Sequence, residues 1–215
     1  MGDLEKATQR AREFHQRERE IVDAALELFL EHGEDKVTVE MIADRVGIGK
    51  GTIYKHFQTK NEIYLLLMIQ YEEELARVFE EIADSDDKER LTREYFRFRI
   101  SDPQRYQLFD RLEHKVIKDQ AVPEMVDKLH RIRESNFELL GNIIKERIDD
   151  GTLEDVPPMY HICAAWALAH GAVGLMESPF YQGMIEDKDD FLDFLINIGI
   201  RMGNKGQRGN KSKTE

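Results

Sequence analysis

The chain of 215 residues lacks most of what common function classes require. With one cysteine, Cys163, it can form no intramolecular disulfide and has no CxxC pair. That thiol lies in the apolar run YHICAAWALAHGAVGLM and is expected to pack as a small buried hydrophobe rather than act as a redox sensor. Only five prolines occur, and Pro103, Pro123, Pro157, Pro158 and Pro179 all fall between periodic segments, where proline starts or stops helices. Alternating strand-like runs are nearly absent. No window reads as the roughly 18 apolar residues of a membrane span, and the N-terminal MGDLEKATQRAREFHQ is too polar for a signal peptide, so a cytoplasmic protein without membrane contact is expected. There is no G-x-S-x-G, no phosphate-binding loop and no H-E-x-x-H spacing; His114, His130, His161 and His170 are scattered. Catalysis, a metal and a cofactor are therefore not expected.

What is present is helical periodicity and an uneven distribution of charge. Apolar residues recur every three or four positions through most of the chain, which predicts an all-α fold. The net charge of -12 argues against a partner rich in phosphate, but the sum conceals one exception. From Arg45 to Lys60 the sequence RVGIGKGTIYKHFQTK carries Arg45, Lys50, Lys55 and Lys60 with no acidic residue, while the acid is concentrated in stretches such as EEIADSDDKE and IEDKDD. An acidic body with one basic face docks on DNA in one orientation.

Nine helices are predicted: about 13–32, 39–46, 50–57, 60–83, 88–100, 103–118, 123–149, 158–176 and 189–202. Gly33 is placed to end the first in a left-handed conformation, and Thr38 to cap the second with its hydroxyl. Gly47-Ile48-Gly49 then provides a tight turn into the third, with Gly47 free to take positive φ. Two short helices joined by a glycine turn behind one supporting helix form a helix-turn-helix. Three regions are expected: an arm and DNA-binding domain over 1–64, a larger helical effector-binding and dimerisation domain over 65–203, and a disordered basic tail over 204–215. Arg10 and Arg12 belong either to a minor-groove arm or to a solvated extension of the first helix.

The run VTVEMIADRVGIGKGTIYKHFQTKNEIY, preceded by ALELFLEHG, resembles the N-terminal signature of TetR/AcrR-family transcriptional regulators over about residues 20–64. The resemblance implies a homodimeric, sequence-specific regulator, usually a repressor, released from a palindromic operator on double-stranded DNA by a small-molecule effector. It places Lys50, Gly51, Thr52 and Lys55 on the base-reading face, where lysines donate to guanine and the Thr52 methyl meets a thymine methyl. It places Thr38, Tyr54, His56 and Lys60 at phosphates, which set register. Gly49 and Gly51 replace bulkier groups, favouring close backbone approach and a share of readout from DNA shape.

Farther along, the aromatic and polarisable residues Tyr106, Phe109, Glu113, Phe137, Trp166 and His170 suit the lining of an apolar effector pocket, and suit core packing equally. Ala167, Gly171 and Gly174 permit close helix approach, and Phe191, Leu195 and Ile198 form a stripe on the last helix; together they are expected to form a dimer interface as a four-helix bundle. The competing reading is a helical protein-interaction or ligand-binding module whose DNA-binding head is vestigial.

Overall fold

The computed structural model describes residues 2–83, 85, 87, 89–116 and 122–205. Among these the chain forms nine α-helices: α1 (Gly2–His32), α2 (Val39–Val46), α3 (Lys50–His56), α4 (Lys60–Ala83), α5 (Arg90–Ile100), α6 (Pro103–Val116), α7 (Pro123–Asp149), α8 (Pro158–Glu177) and α9 (Lys188–Arg201), with a 3-10 turn at Gln182–Met184. No strand occurs among the described residues. The all-α expectation therefore holds. Lys88, the expected end of α6 near Lys118, and tail residues 206–215 lie outside the described residues.

One helix is longer than its apolar pattern predicts. α1 starts at Gly2 rather than near Glu13, because its exposed N-terminal half is supported by side-chain pairs one turn apart instead of by a core. These pairs are Gln9 with Glu13 at 2.7 Å, His15 with Glu18 at 2.9 Å and Arg17 with Glu20 at 2.6 Å. Arg10 and Arg12 consequently sit on a solvated helix and not on an extended arm.

The chain divides into two compact units, Met1–Glu73 with Gln104–Ile132, and Glu74–Pro103 with Arg133–Glu215. In the first, Ile21, Val22, Ala25, Leu28 and Phe29 of α1 are buried, as are Ile42, Ala43, Ile53, Phe57, Ile63 and Tyr64. Each of the larger aliphatic and phenylalanine side chains contributes roughly 1.5–3 kcal/mol on burial. α6, which sequence periodicity grouped with the effector domain, clusters instead with this unit. Its Phe109 ring lies 4.5 Å from Tyr71, and Arg105 lies over both rings at 5.5 Å and 5.1 Å.

In the second unit α5 packs on α8 and α9. Leu75, Phe79, Ile82 and Leu91 form a buried cluster lined by Tyr95, Phe98, Leu140 and Ile144. Gly199 permits α9 to approach α5, since a Cβ there would lie 2.6 Å from the fully buried Phe96 ring. Asn204 and Lys205, expected to be disordered, are tied down in this unit. Leu153 bridges Asn204, and the Lys205 amide donates to Thr152 O at 3.1 Å.

α8 departs from the sequence reading. It is long and apolar enough, by length and composition, to cross a membrane, yet only 22% of its apolar window is buried within the chain. Ala169, Ala172, Val173 and Met176 face inward, whereas Cys163, Trp166, Ala167, Gly171, Gly174 and Leu175 are exposed. Cys163 is thus a surface thiol and not a core residue: it lies on the stripe that α8 turns away from its own unit.

Candidate nucleic-acid interface

The geometry of residues 33–57 follows from its caps. Gly33 ends α1 at φ 83°. Thr38 then opens α2 in an extended conformation, its hydroxyl accepting a hydrogen bond from the Met41 amide at 3.3 Å. Gly47 closes α2 at φ 73°, a left-handed value that L side chains resist, and its amide bonds back to the α2 carbonyls of Ala43 and Asp44. The reversal delivers α3 two residues later, after extended Gly49. α1 packs on α2, and α2 on α3.

This packing turns one side of α3 outward. Ile53 and the following Phe57 are buried, so Lys50, Gly51, Tyr54 and Lys55 are exposed and Thr52 is half-buried. Nothing lies within 4 Å of where a Cβ of Gly49 or Gly51 would stand, which leaves the backbone open at the start of α3. The four base-reading candidates thus share one accessible helix, with Thr38 and Tyr54 exposed nearby in sequence.

Two of the four expected phosphate ligands are otherwise occupied. The Lys60 ammonium donates to the carbonyls of Glu34 and Val37 at 3.0 Å and 3.1 Å, and burial holds its pKa below the ordinary lysine value. It closes the α1–α2 loop instead of facing solvent. The His56 side chain is only 6% exposed and stacks on Phe14 of the α1 extension, ring centroids 4.1 Å apart, with Nδ1 4.0 Å from a Glu18 carboxylate oxygen. In these contacts both residues support α2 and α3 from behind.

The basic segment is also less basic in three dimensions than in sequence. Arg45 is held by Glu27 at 3.0 Å and Glu31 at 2.8 Å, two carboxylates one turn apart on α1. The bond to Glu31 is the principal reason the Arg45 pKa is raised. Lys50 is hydrogen-bonded to Glu40 of α2 and lies 5.7 Å from the Tyr54 ring centre. Of the four cations, Lys55 has neither an ion pair nor a side-chain hydrogen bond among the described residues, and Lys60 bonds only backbone carbonyls. Sequence inspection missed Glu27, Glu31 and Glu40 because it scanned for acid inside the segment, whereas folding supplies acid from the helices beside it.

Behind the interface, the α1–α2 loop is joined to α4 and α6. Glu34 is buried; its carboxylate accepts from Arg111 Nε at 3.1 Å and lies 3.4 Å from Lys115 Nζ, and its carbonyl accepts from the Tyr64 hydroxyl at 3.0 Å. Burial opposes ionisation of Glu34, but its own amide together with Arg111 and Lys115 outweigh that, leaving its carboxyl below the ordinary value of 4.5. Tyr64 is pushed upward, by burial first and then by the charges of Glu34 and Asp35.

The residues expected at the effector pocket are divided between the two units. Tyr106, Phe109 and Glu113 belong to the first unit, the first two buried. Phe137, Trp166 and His170 belong to the second, where Phe137 is 47% exposed and Trp166 is 48% exposed, its ring stacked 5.2 Å from His170. On the same two helices Asn136 of α7 and Ala169 of α8 are buried. Among the expected dimer residues, Ala167, Gly171 and Gly174 are exposed and Phe191 and Ile198 partly so. Leu195 is not available. It is 6% exposed, turned inward with Ile196 and Gly199, while Phe194 at 59% is the outward apolar residue of α9.

Fold and exposed α3 define a helix-turn-helix head on an otherwise helical chain. The matches to known proteins narrow this class. Residues 21–67 match the family described as bacterial regulatory proteins, tetR family, and residues 89–198 match the tetracyclin repressor-like C-terminal domain. The chain belongs to the TetR family of regulatory proteins. It is 36% identical over 62 residues to the HTH-type transcriptional repressor Rv1474c of Mycobacterium tuberculosis, covering 29% of this chain and 33% of that one. It thus spans about a third of that relative's length. Over 140 residues it is 26% identical to the fatty acid metabolism regulator protein of Bacillus subtilis, covering 63% of this chain and 70% of the other. The solved structure of the transcriptional regulator FadR from Bacillus subtilis, in complex with stearoyl-CoA, superposes with a TM-score of 0.63 at 20% identity, covering 85% of this chain and 97% of its own.

Proposed function

We propose that this chain is a sequence-specific DNA-binding transcriptional regulator that represses from a palindromic operator as a homodimer and is released by a small-molecule effector. The observation that carries this reading is the outward side of α3. Lys50, Gly51, Tyr54 and Lys55 are exposed together on a helix whose opposite side is anchored by buried Ile53. Ammonium donors read guanine in the major groove, and an open glycine backbone lets the helix sit close to it.

In this reading Lys50, Gly51, Thr52 and Lys55 face bases, while Thr38 and Tyr54 hold phosphates. The exposed apolar stripe of α8, with Phe194 of α9, meets its own copy, as an uncovered face of this composition requires in water. An acyl thioester is the effector class we favour, because the Bacillus subtilis relatives are named for fatty acid metabolism and for a stearoyl-CoA complex. The protein works in the cytoplasm and performs no catalysis.

The test begins with selection of duplexes from a random 30-base-pair pool by the full chain. Enrichment of an inverted repeat, with affinity falling steeply as salt rises, supports the reading. No enrichment, with no binding to any duplex at low salt, refutes it in favour of a protein-interaction module. Thermal stabilisation by acyl-CoAs of graded chain length then tests the effector class.

A further inference from the structure

Resting on the DNA-binding reading above, we infer that Glu40 is a specificity-determining residue: with Lys50 it forms a paired acceptor and donor that reads one G·C base pair in each half-site. The first observation is geometric. Glu40 stands in the first turn of α2 and Lys50 is the first residue of α3, so the Gly47 turn brings together two side chains ten positions apart, and they are hydrogen-bonded to each other. Both are exposed, and Lys50 stands beside the exposed Gly51 at the start of α3.

The second observation is that the pair is held in place. The Glu40 carboxylate is stabilised below the ordinary glutamate range, foremost by Lys50, then by its own backbone amide and, more weakly, by the Thr38 hydroxyl. The Lys50 ammonium is flanked on its other side by the Tyr54 ring. A lysine on a flexible four-carbon stem ordinarily reaches whichever phosphate is nearest. Here the carboxylate and the ring fix where its charge lies.

The consequence follows from the chemistry of the base edges. An ammonium has three N–H donors, so one bond to Glu40 leaves two for a guanine O6 and N7. The carboxylate has lone pairs to spare and can accept from the N4 amino group of the paired cytosine. An A·T pair presents its amino donor between its two acceptors, so the adenine N7 and thymine O4 are not adjacent and the ammonium can bond only one of them. Against generic DNA, the same carboxylate repels the phosphates and competes for Lys50. Glu40 thus weakens binding everywhere and restores it only where a G·C pair lies beneath it.

Selections from the random 30-base-pair pool with wild type, Glu40→Gln and Lys50→Met, followed by fluorescence anisotropy on the pool and on the wild-type winner, test this. Glu40→Gln should bind the unselected pool about three- to tenfold tighter while its winner-to-pool ratio falls about tenfold or more, within the range one base contact contributes. In its selected sequences one G·C position per half-site should lose its preference, and Lys50→Met should flatten that same position. If Glu40→Gln leaves base frequencies and the winner-to-pool ratio unchanged, or if the two variants flatten different positions, the inference is overturned, and Glu40 merely caps α2. If wild type enriches nothing and binds no duplex, the DNA-binding reading itself fails, and this inference with it.

Discussion

α3 and α8 both leave a large part of their surface uncovered, and the chemistry of the two uncovered faces is opposite. α3 shows water two lysines, a tyrosine and bare backbone; α8 shows it a thiol, an indole, alanine and two glycines. A polar face is stable in water and can therefore wait for a partner that comes and goes. An apolar face of that extent costs free energy whenever it is wet, so its partner has to be permanent. The charges around α3 sharpen the contrast: Glu27, Glu31 and Glu40 already satisfy Arg45 and Lys50, so DNA must exchange existing contacts rather than fill empty ones. Nothing comparable occupies the α8 stripe within its own unit.

The largest effect should come from breaking the α8 face. Gly171→Glu places a charge in the middle of the exposed stripe, where a closely packed copy would have to bury it. Sedimentation should show wild type as a dimer at micromolar concentration and the variant as a monomer, with α-helical content unchanged; a variant that stays dimeric would move the interface away from α8. Next in size is Gly199→Ala, on the side of α9 that faces α5. The new methyl meets the buried Phe96 ring, and overpacking of this kind costs about 1–3 kcal/mol, read as a lower thermal midpoint. Smaller still is Lys55→Ala. Removing the one cation of the segment with neither an ion pair nor a side-chain hydrogen bond among the described residues should weaken the selected duplex about tenfold and reduce the salt slope by about one, with the fold intact.

The same contrast explains what the sequence made legible. The head was readable because its determinants are local: Thr38, Gly47 and the spacing of Ile42, Ile53 and Phe57 each act within a turn or two, and all appear where the pattern put them. The contacts of Lys60 and His56 were not legible because their partners, Glu34 O and Phe14, lie 26 and 42 positions away, and no short-range pattern records such contacts. On α8 and α9 periodicity identified amphipathic helices but not which face is inward. Ala and Gly are small enough to serve on either side, so Ala169 and Ala172 could not be told from Ala167 and Gly171 by type. The exposure of Trp166 and Cys163 follows from that ambiguity, because both share the Ala167 stripe.

The smallest effect expected is a dependence on acid, centred on Glu34 in the first unit. Glu34 ionises more readily in the folded chain than its ordinary value of 4.5, because its amide, Arg111 and Lys115 overcome the cost of burying it. A carboxyl whose folded pKa is depressed binds fewer protons than in the unfolded chain, so its contribution to stability is present above the ordinary value and is lost as pH falls below it. Asp35, held down chiefly by Lys115, adds in the same direction. Thermal midpoints measured from pH 7 to pH 3 should therefore decline below about pH 4.5, and Glu34→Gln should start lower at pH 7 and decline less steeply. The joint connects the α1–α2 loop to α6, so the loss should appear first as faster hydrogen exchange at residues 33–38 and the N-terminus of α2, before any change along α8. Simultaneous exchange in both regions would mean that the loop opens only with global unfolding, and that Glu34 does not act as a local fastening.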